Sequence, residues 1–113
     1  MKKKTFRVRC WIDIDGEKFF GPGRAELLSH IETTGSIAKA AKAMGMSYKK
    51  AWDMVEEMNA LGQKPYVVAR KGGEKGGGAE VTATAKAVVA AYRKLDDKLQ
   101  ALVARNEALL KLI

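Results

Sequence analysis

Apolar and polar positions change rhythm several times along the chain, and each rhythm predicts an element. From Thr5 to Ile14, Phe6, Val8, Cys10, Ile12 and Ile14 alternate with Arg7, Arg9, Trp11 and Asp13. A period of two in β-forming residues predicts a strand. Asp15-Gly16 is a hairpin signal, because the favoured two-residue turn needs positive φ at both positions. Glu17 to Phe20 supplies the returning strand, and Gly21-Pro22-Gly23 breaks it. The period then becomes helical. Leu27, Leu28 and Ile31 predict a helix over Arg24 to Thr33, closed by Gly35. Ser36 suits the N-cap of a second helix, with Ile37, Ala40, Ala41 and Met44 on one face and Gly45 at its end. Ser47 caps a third, from about Tyr48 to Leu61, whose inward residues are Ala51, Met54, Val55, Met58 and Leu61.

Beyond Gly62 the pattern is extended again at Tyr66 to Arg70. Lys71 to Gly78 follows with five glycines in eight residues, and Ala79-Glu80-Val81 reads as a returning strand. Thr82 or Thr84 caps a last helix that the pattern carries almost to Ile113. Its apolar positions are Val88, Tyr92, Leu95, Leu99, Leu102, Leu109 and Ile113, with Asn106 in the gap. Steps of four and three are the spacing of a helix–helix seam. A helix this long spans roughly 40 Å, more than a small domain covers, so part of the stripe is expected to meet a second copy. Tyr92, Leu95, Leu99, Leu102, Asn106 and Leu109 are the expected dimerisation residues, with Asn106 fixing the register.

The segment from Gly35 to Met58, GSIAKAAKAMGMSYKKAWDMVEEM, has the pattern of two short helices crossed tightly. A small residue, Ala41, sits where they meet, and Gly45 supplies the positive φ of the turn. An ordinary helical hairpin with a glycine turn would share these features. The start of the third helix separates the two readings, because its first turn presents Tyr48, Lys49 and Lys50, while Asp53, Glu56 and Glu57 follow. In a helix-turn-helix that leading turn meets base edges in the major groove. Lys49 and Lys50 suit phosphate or guanine, Tyr48 phosphate or a thymine methyl, and Ser36 and Ser47 phosphate as well as their caps. Asp53 is expected to steady a lysine at helical spacing, and Trp52 to buttress the helix from the rim of the core.

The glycine run is not a phosphate-binding P-loop, since no Gly-Lys-Ser/Thr opens a helix there. A linker is one alternative. Flanking strands favour the tip of a β-wing, from which Arg70, Lys71 and Lys75 would reach phosphate or an adjacent minor groove. The predicted fold is thus α+β: a winged helix-turn-helix over residues 1–82, with an N-terminal β-hairpin, and a C-terminal dimerisation helix over 83–113.

Charge supports this reading. The formal net charge is +8 with a pI near 9.7, a bias that favours polyanions. Lys2 to Lys4 are followed by no apolar anchor, so binding at a membrane surface is a weaker reading. No run of apolar residues is long enough to span a bilayer. Cys10 is the single cysteine, and it fits a reducing compartment; the expected location is the cytoplasm. One histidine, His30, and one distant cysteine make no metal site. No nucleophile has a base and orienter around it, so neither enzyme activity nor a cofactor is expected. The competing function is a non-enzymatic architectural or protein-interaction module with weak, nonspecific DNA binding.

The segment SIAKAAKAMGMSYKKAWDMVEEMN, with GGEKGGGAEVT after it, closely resembles the N-terminal DNA-binding domain of the molybdate-responsive repressor family, ModE. The same helix-turn-helix is similar to that of LysR-type regulators. The resemblance covers Gly23 to the middle of the last helix. It implies a repressor-like transcriptional regulator that binds double-stranded DNA as a homodimer, on a roughly palindromic operator, in connection with molybdate or other oxyanion metabolism. Family members add C-terminal oxyanion-binding domains. None follows within these residues, so no oxyanion effector is assigned to the chain.

Overall fold

A computed structural model describes residues 2–70 and 78–113. The N-terminal hairpin joins β1 (Ile12–Ile14) to β2 (Glu17–Phe20). Its turn carries Asp15 at φ 50° and Gly16 at φ 79°, the left-handed pair that a two-residue hairpin demands. Pairing runs Ile14 to Glu17 and Asp13 to Lys18, then skips to Ile12 and Phe20. Phe19 is therefore the extra residue of a β-bulge. The bulge explains why two consecutive phenylalanines are both buried, which strict alternation forbids.

Three helices follow: α1 (Pro22–Thr34), α2 (Ile37–Ala43) and α3 (Tyr48–Leu61). Pro22 sits in the first turn of α1, where a missing N–H costs nothing. The wing consists of β3 (Val67–Arg70) and β4 (Gly78–Val81), antiparallel, with Val67 opposite Val81 and Arg70 opposite Gly78. Two further helices close the chain, α4 (Ala83–Ala104) and the single turn α5 (Ala108–Lys111). Thr82 is the N-cap of α4; its hydroxyl accepts from the Ala85 amide. Phe20, Leu27, Leu28, Ile31 and Met58 form the fully buried centre. Tyr66 and Tyr92 meet Phe19 and Phe20 edge to face, with ring centroids 5.4 and 5.1 Å apart.

Two sequence expectations change. The strand expected from Thr5 is limited to Ile12–Ile14. Among the described residues, 2–11 pair with no strand and lie instead along α4 and α5. The Tyr92 hydroxyl donates to the Cys10 carbonyl at 2.6 Å, the Gln100 amide to the Val8 carbonyl at 3.0 Å, and the Lys4 ammonium to the Leu110 carbonyl at 3.3 Å. Alternation was real, because Phe6, Val8 and Cys10 are half-buried while Arg7, Arg9 and Trp11 are exposed, but the surface it matches is a helix.

The last helix does not run unbroken to the end. It stops at Ala104, and Arg105 to Glu107 form a turn. Asn106 sits in that turn, its amide donating to the Leu102 carbonyl at 2.8 Å. A short amide side chain that bonds its own backbone competes with helix continuation.

Candidate nucleic-acid interface

α2 and α3 cross over Ala41, which is 1% exposed, and the turn between them places Gly45 at φ 66°. The Met46 amide returns to the Ala41 carbonyl at 3.0 Å and locks the turn. Ile37, Met44 and Met54 pack against the core from both helices. Each helix is started by its serine: Ser36 Oγ accepts from the Lys39 amide and Ser47 Oγ from the Lys50 amide, both at 3.1 Å. Each hydroxyl keeps its own proton to donate outward.

The leading turn of α3 is presented to solvent. Tyr48 is 53% exposed, and Lys49 and Lys50 are exposed beside it. Lys49 pairs with Asp53 one turn later at 3.1 Å. Such an exposed pair contributes about 0.5 kcal/mol or less, so an incoming phosphate can displace the carboxylate. Ser36, Tyr48 and Arg70, from three separate elements, line one groove of about 500 Å³. Lys39 lines the same groove. The sequence reading passed it over, although its place three residues after the cap Ser36 marks it as a cation on the outer face. Lys71 and Lys75 lie outside the described residues.

The wing is held against α3 by a residue that pattern reading missed. Asn59 accepts from the Tyr66 and Val67 amides at 2.7 and 3.2 Å and donates to the Val67 carbonyl at 3.0 Å. Thr82 secures the other strand, its amide donating to the Tyr66 carbonyl and its hydroxyl to the Pro65 carbonyl. Trp52 is 42% exposed at the cleft between α3 and the wing, with Val55 and Val67 nearby. Arg24 was also missed. It is 5% exposed and joins three elements, donating to the Lys18 and Phe19 carbonyls and to Glu57 at 2.9 Å. Nothing local distinguishes it from a surface arginine. His30 stands half-buried on α1 beside Glu26, at 3.7 Å.

The expected dimerisation residues divide. Tyr92 is buried in the chain's own core, and burial is the main cause that pushes its hydroxyl above the ordinary tyrosine range, with Cys10 and Asp96 adding to it and Arg9 opposing. Leu95, Leu102 and Leu109 are exposed at 42, 54 and 53%, and Leu99 is half-buried. Asn106 is exposed and committed to its own backbone.

The fold and these surfaces define a winged helix-turn-helix, the class of domain that lays a helix in the major groove of DNA. A crystal structure of the CbnR_DBD–DNA complex has the same fold, with a TM-score of 0.58 at 17% identity, over 78% of this chain and 95% of that one. The molybdenum transport protein ModE of Azotobacter vinelandii is 39% identical over 105 residues, 93% of this chain and 39% of that protein. The DNA-binding transcriptional dual regulator ModE of Escherichia coli K12 is 43% identical over 74 residues, 66% of this chain and 28% of that protein. The molybdenum-pterin-binding protein MopB of Rhodobacter capsulatus is 42% identical over 92 residues, covering 81% and 34%. The chain is a ModE-like winged helix-turn-helix chain. It spans between about a quarter and two fifths of the length of these curated relatives. No protein-family model matches it.

Proposed function

We propose that the chain is a sequence-specific regulator of transcription that binds a roughly palindromic DNA site as a homodimer. One observation carries the DNA-binding part. Tyr48, in the exposed, lysine-led first turn of α3, lines one groove with Ser36, Lys39 and the wing residue Arg70, so a helix in the major groove would have cations on the flanking phosphates, while Lys50 faces a separate cleft with Met46 and Asp53. The relatives support the regulatory part, since one is a DNA-binding transcriptional dual regulator, and they favour a link to molybdenum metabolism. No catalytic role is proposed. Among the described residues no helix is long and apolar enough to cross a membrane; the cytoplasm, where DNA is reached, is the proposed location.

Dimerisation rests on α4. Leu95, Leu99 and Leu102 continue outward from the buried Tyr92, and Leu109 follows on α5. The molecule measures 59 × 32 × 22 Å and exposes 8257 Å², whereas a compact monomer of 12.3 kDa exposes about 6,100 Å². The surplus goes with the elongated shape, and a second copy laid on the leucines of α4 and α5 would cover part of it.

Titrating the protein against random and selected duplexes across a range of salt tests the reading. A regulator keeps a specificity ratio of roughly 10³ or more at physiological salt. An architectural module would lose that ratio while retaining the salt dependence.

A further inference from the structure

Arg70 ends β3 opposite Gly78, in the last described pair of the wing, and its residue type suits either phosphate or the minor groove. Its guanidinium lies over two glycines. A methyl group built on Gly35 would come within 2.7 Å of Nη2, and one on Gly78 within 3.2 Å of the same atom. The two bare Cα atoms are the floor of a seat for the guanidinium. That floor is tied down. The Gly35 carbonyl accepts from the Ala79 amide at 2.9 Å, joining the wing to the turn between α1 and α2. The Gly35 amide in turn donates to the Ile31 carbonyl at 2.7 Å, and its φ of 69° is a conformation that L side chains rarely adopt. The seat opens on the groove that Ser36, Lys39 and Tyr48 also line.

We infer that Gly35 is a positioning residue, whose missing side chain seats Arg70 toward the helix-turn-helix so that Arg70 and Lys39 grip one backbone phosphate of the duplex beside α2. This rests on the DNA-binding reading above and adds to it the atom that Arg70 contacts. The fork of a guanidinium suits two oxygens of one phosphate, and Lys39 adds a point charge. Gly78 contributes from the opposite strand, because a Cβ there would also meet the Gly35 carbonyl, at 2.6 Å.

The test uses the full chain and a duplex enriched from a random pool, with single phosphates replaced in turn by neutral methylphosphonates. Arg70→Ala should weaken binding about tenfold and lower the slope of log affinity against log salt by about 1. One neutral linkage should weaken the unaltered protein similarly, and on that duplex Arg70→Ala should cost nothing more. Gly35→Ala and Gly35→Asn should both reproduce the Arg70→Ala loss, and neither should add to it in the Arg70→Ala background. Asparagine tolerates the left-handed backbone while still placing a Cβ in the seat, so a loss shared by both belongs to the seat rather than to strain. Losses that add fully, an unchanged slope, or an Arg70→Ala defect that tracks minor-groove substituents instead of a phosphate would overturn the inference. If the unaltered protein enriched no duplex at all, the DNA-binding reading would fall and take this one with it.

Discussion

At the scale of single residues, the proposed interface consists of exposed cations, and the pair that Lys49 makes is a weak one. Lys49 is 84% exposed in its pair with Asp53, and a carboxylate facing DNA opposes binding. Asp53→Ala is therefore expected to strengthen binding to duplex DNA, by roughly twofold to fivefold at low salt and less at high salt. Lys49→Ala and Lys50→Ala should each weaken it with helical content unchanged, a base-reading lysine by about 1–3 kcal/mol; fluorescence anisotropy with circular dichroism checks both. Tyr92 makes a prediction of a different kind. Its hydroxyl is held protonated by burial and donates to the Cys10 carbonyl. A folded pKa raised above the unfolded value of 10.0 gives stability that is full below pH 10 and is lost as pH rises through the folded value. Tyr92→Phe should cost about 1 kcal/mol at neutral pH and should make stability above pH 10 less sensitive to pH. Urea denaturation at pH 7 and pH 10.5 measures it, and an equal alkaline loss in both proteins would assign the effect to other groups.

At the scale of elements, what was legible in the sequence is what local chemistry determines. Ser36, Ser47 and one of Thr82 and Thr84 read as caps because a cap bonds the amide three residues ahead, and Ser36, Ser47 and Thr82 do so. Asp15-Gly16 and Gly45 read as turns because they need positive φ. The bounds of α3, the proposed recognition helix, follow from these, so its exposed start could be named from the sequence. What long-range packing determines was not legible. Residues 5–11 alternate like a strand, yet their carbonyls meet Gln100 and Tyr92, about ninety positions away. Asn59 and Arg24 carry no local signal, although one orients the wing and the other ties the hairpin to α1 and α3. Their replacement should be costly in distinguishable ways. Arg24→Ala leaves two carbonyls without their donor and should lower stability by about 2–4 kcal/mol. Asn59→Ala frees two amides and a carbonyl at the wing root; beyond a loss of about 2 kcal/mol, it should weaken DNA binding without touching DNA. Hydrogen exchange checks this: faster exchange at the Tyr66 and Val67 amides is expected, and unchanged protection there would mean that the wing is held by other bonds.

At the scale of the whole molecule, the long dimension comes from α4 and α5, which extend past the core that Tyr92 joins. One recognition helix reads too few base pairs to find a site in a genome, whereas two copies place recognition helices about one turn of DNA apart, roughly 34 Å. Ending the chain before Leu95 should leave Tyr92 in its core and remove the exposed leucines, giving a monomer or a much weaker dimer that binds DNA poorly. Leu99→Asp should act in the same direction by placing a charge in the seam. Sedimentation equilibrium separates the outcomes; full-strength dimers in both cases would move the interface to the hairpin and α1. The central claim, that this fold reads a DNA sequence as a pair, is tested most directly by selecting bound duplexes from a random pool at physiological salt. The account predicts enrichment of one site with inverted half-sites whose centres lie about 10 base pairs apart. A pool that stays random while the protein remains bound to it would contradict the claim, and a single unrepeated half-site would contradict the pairing.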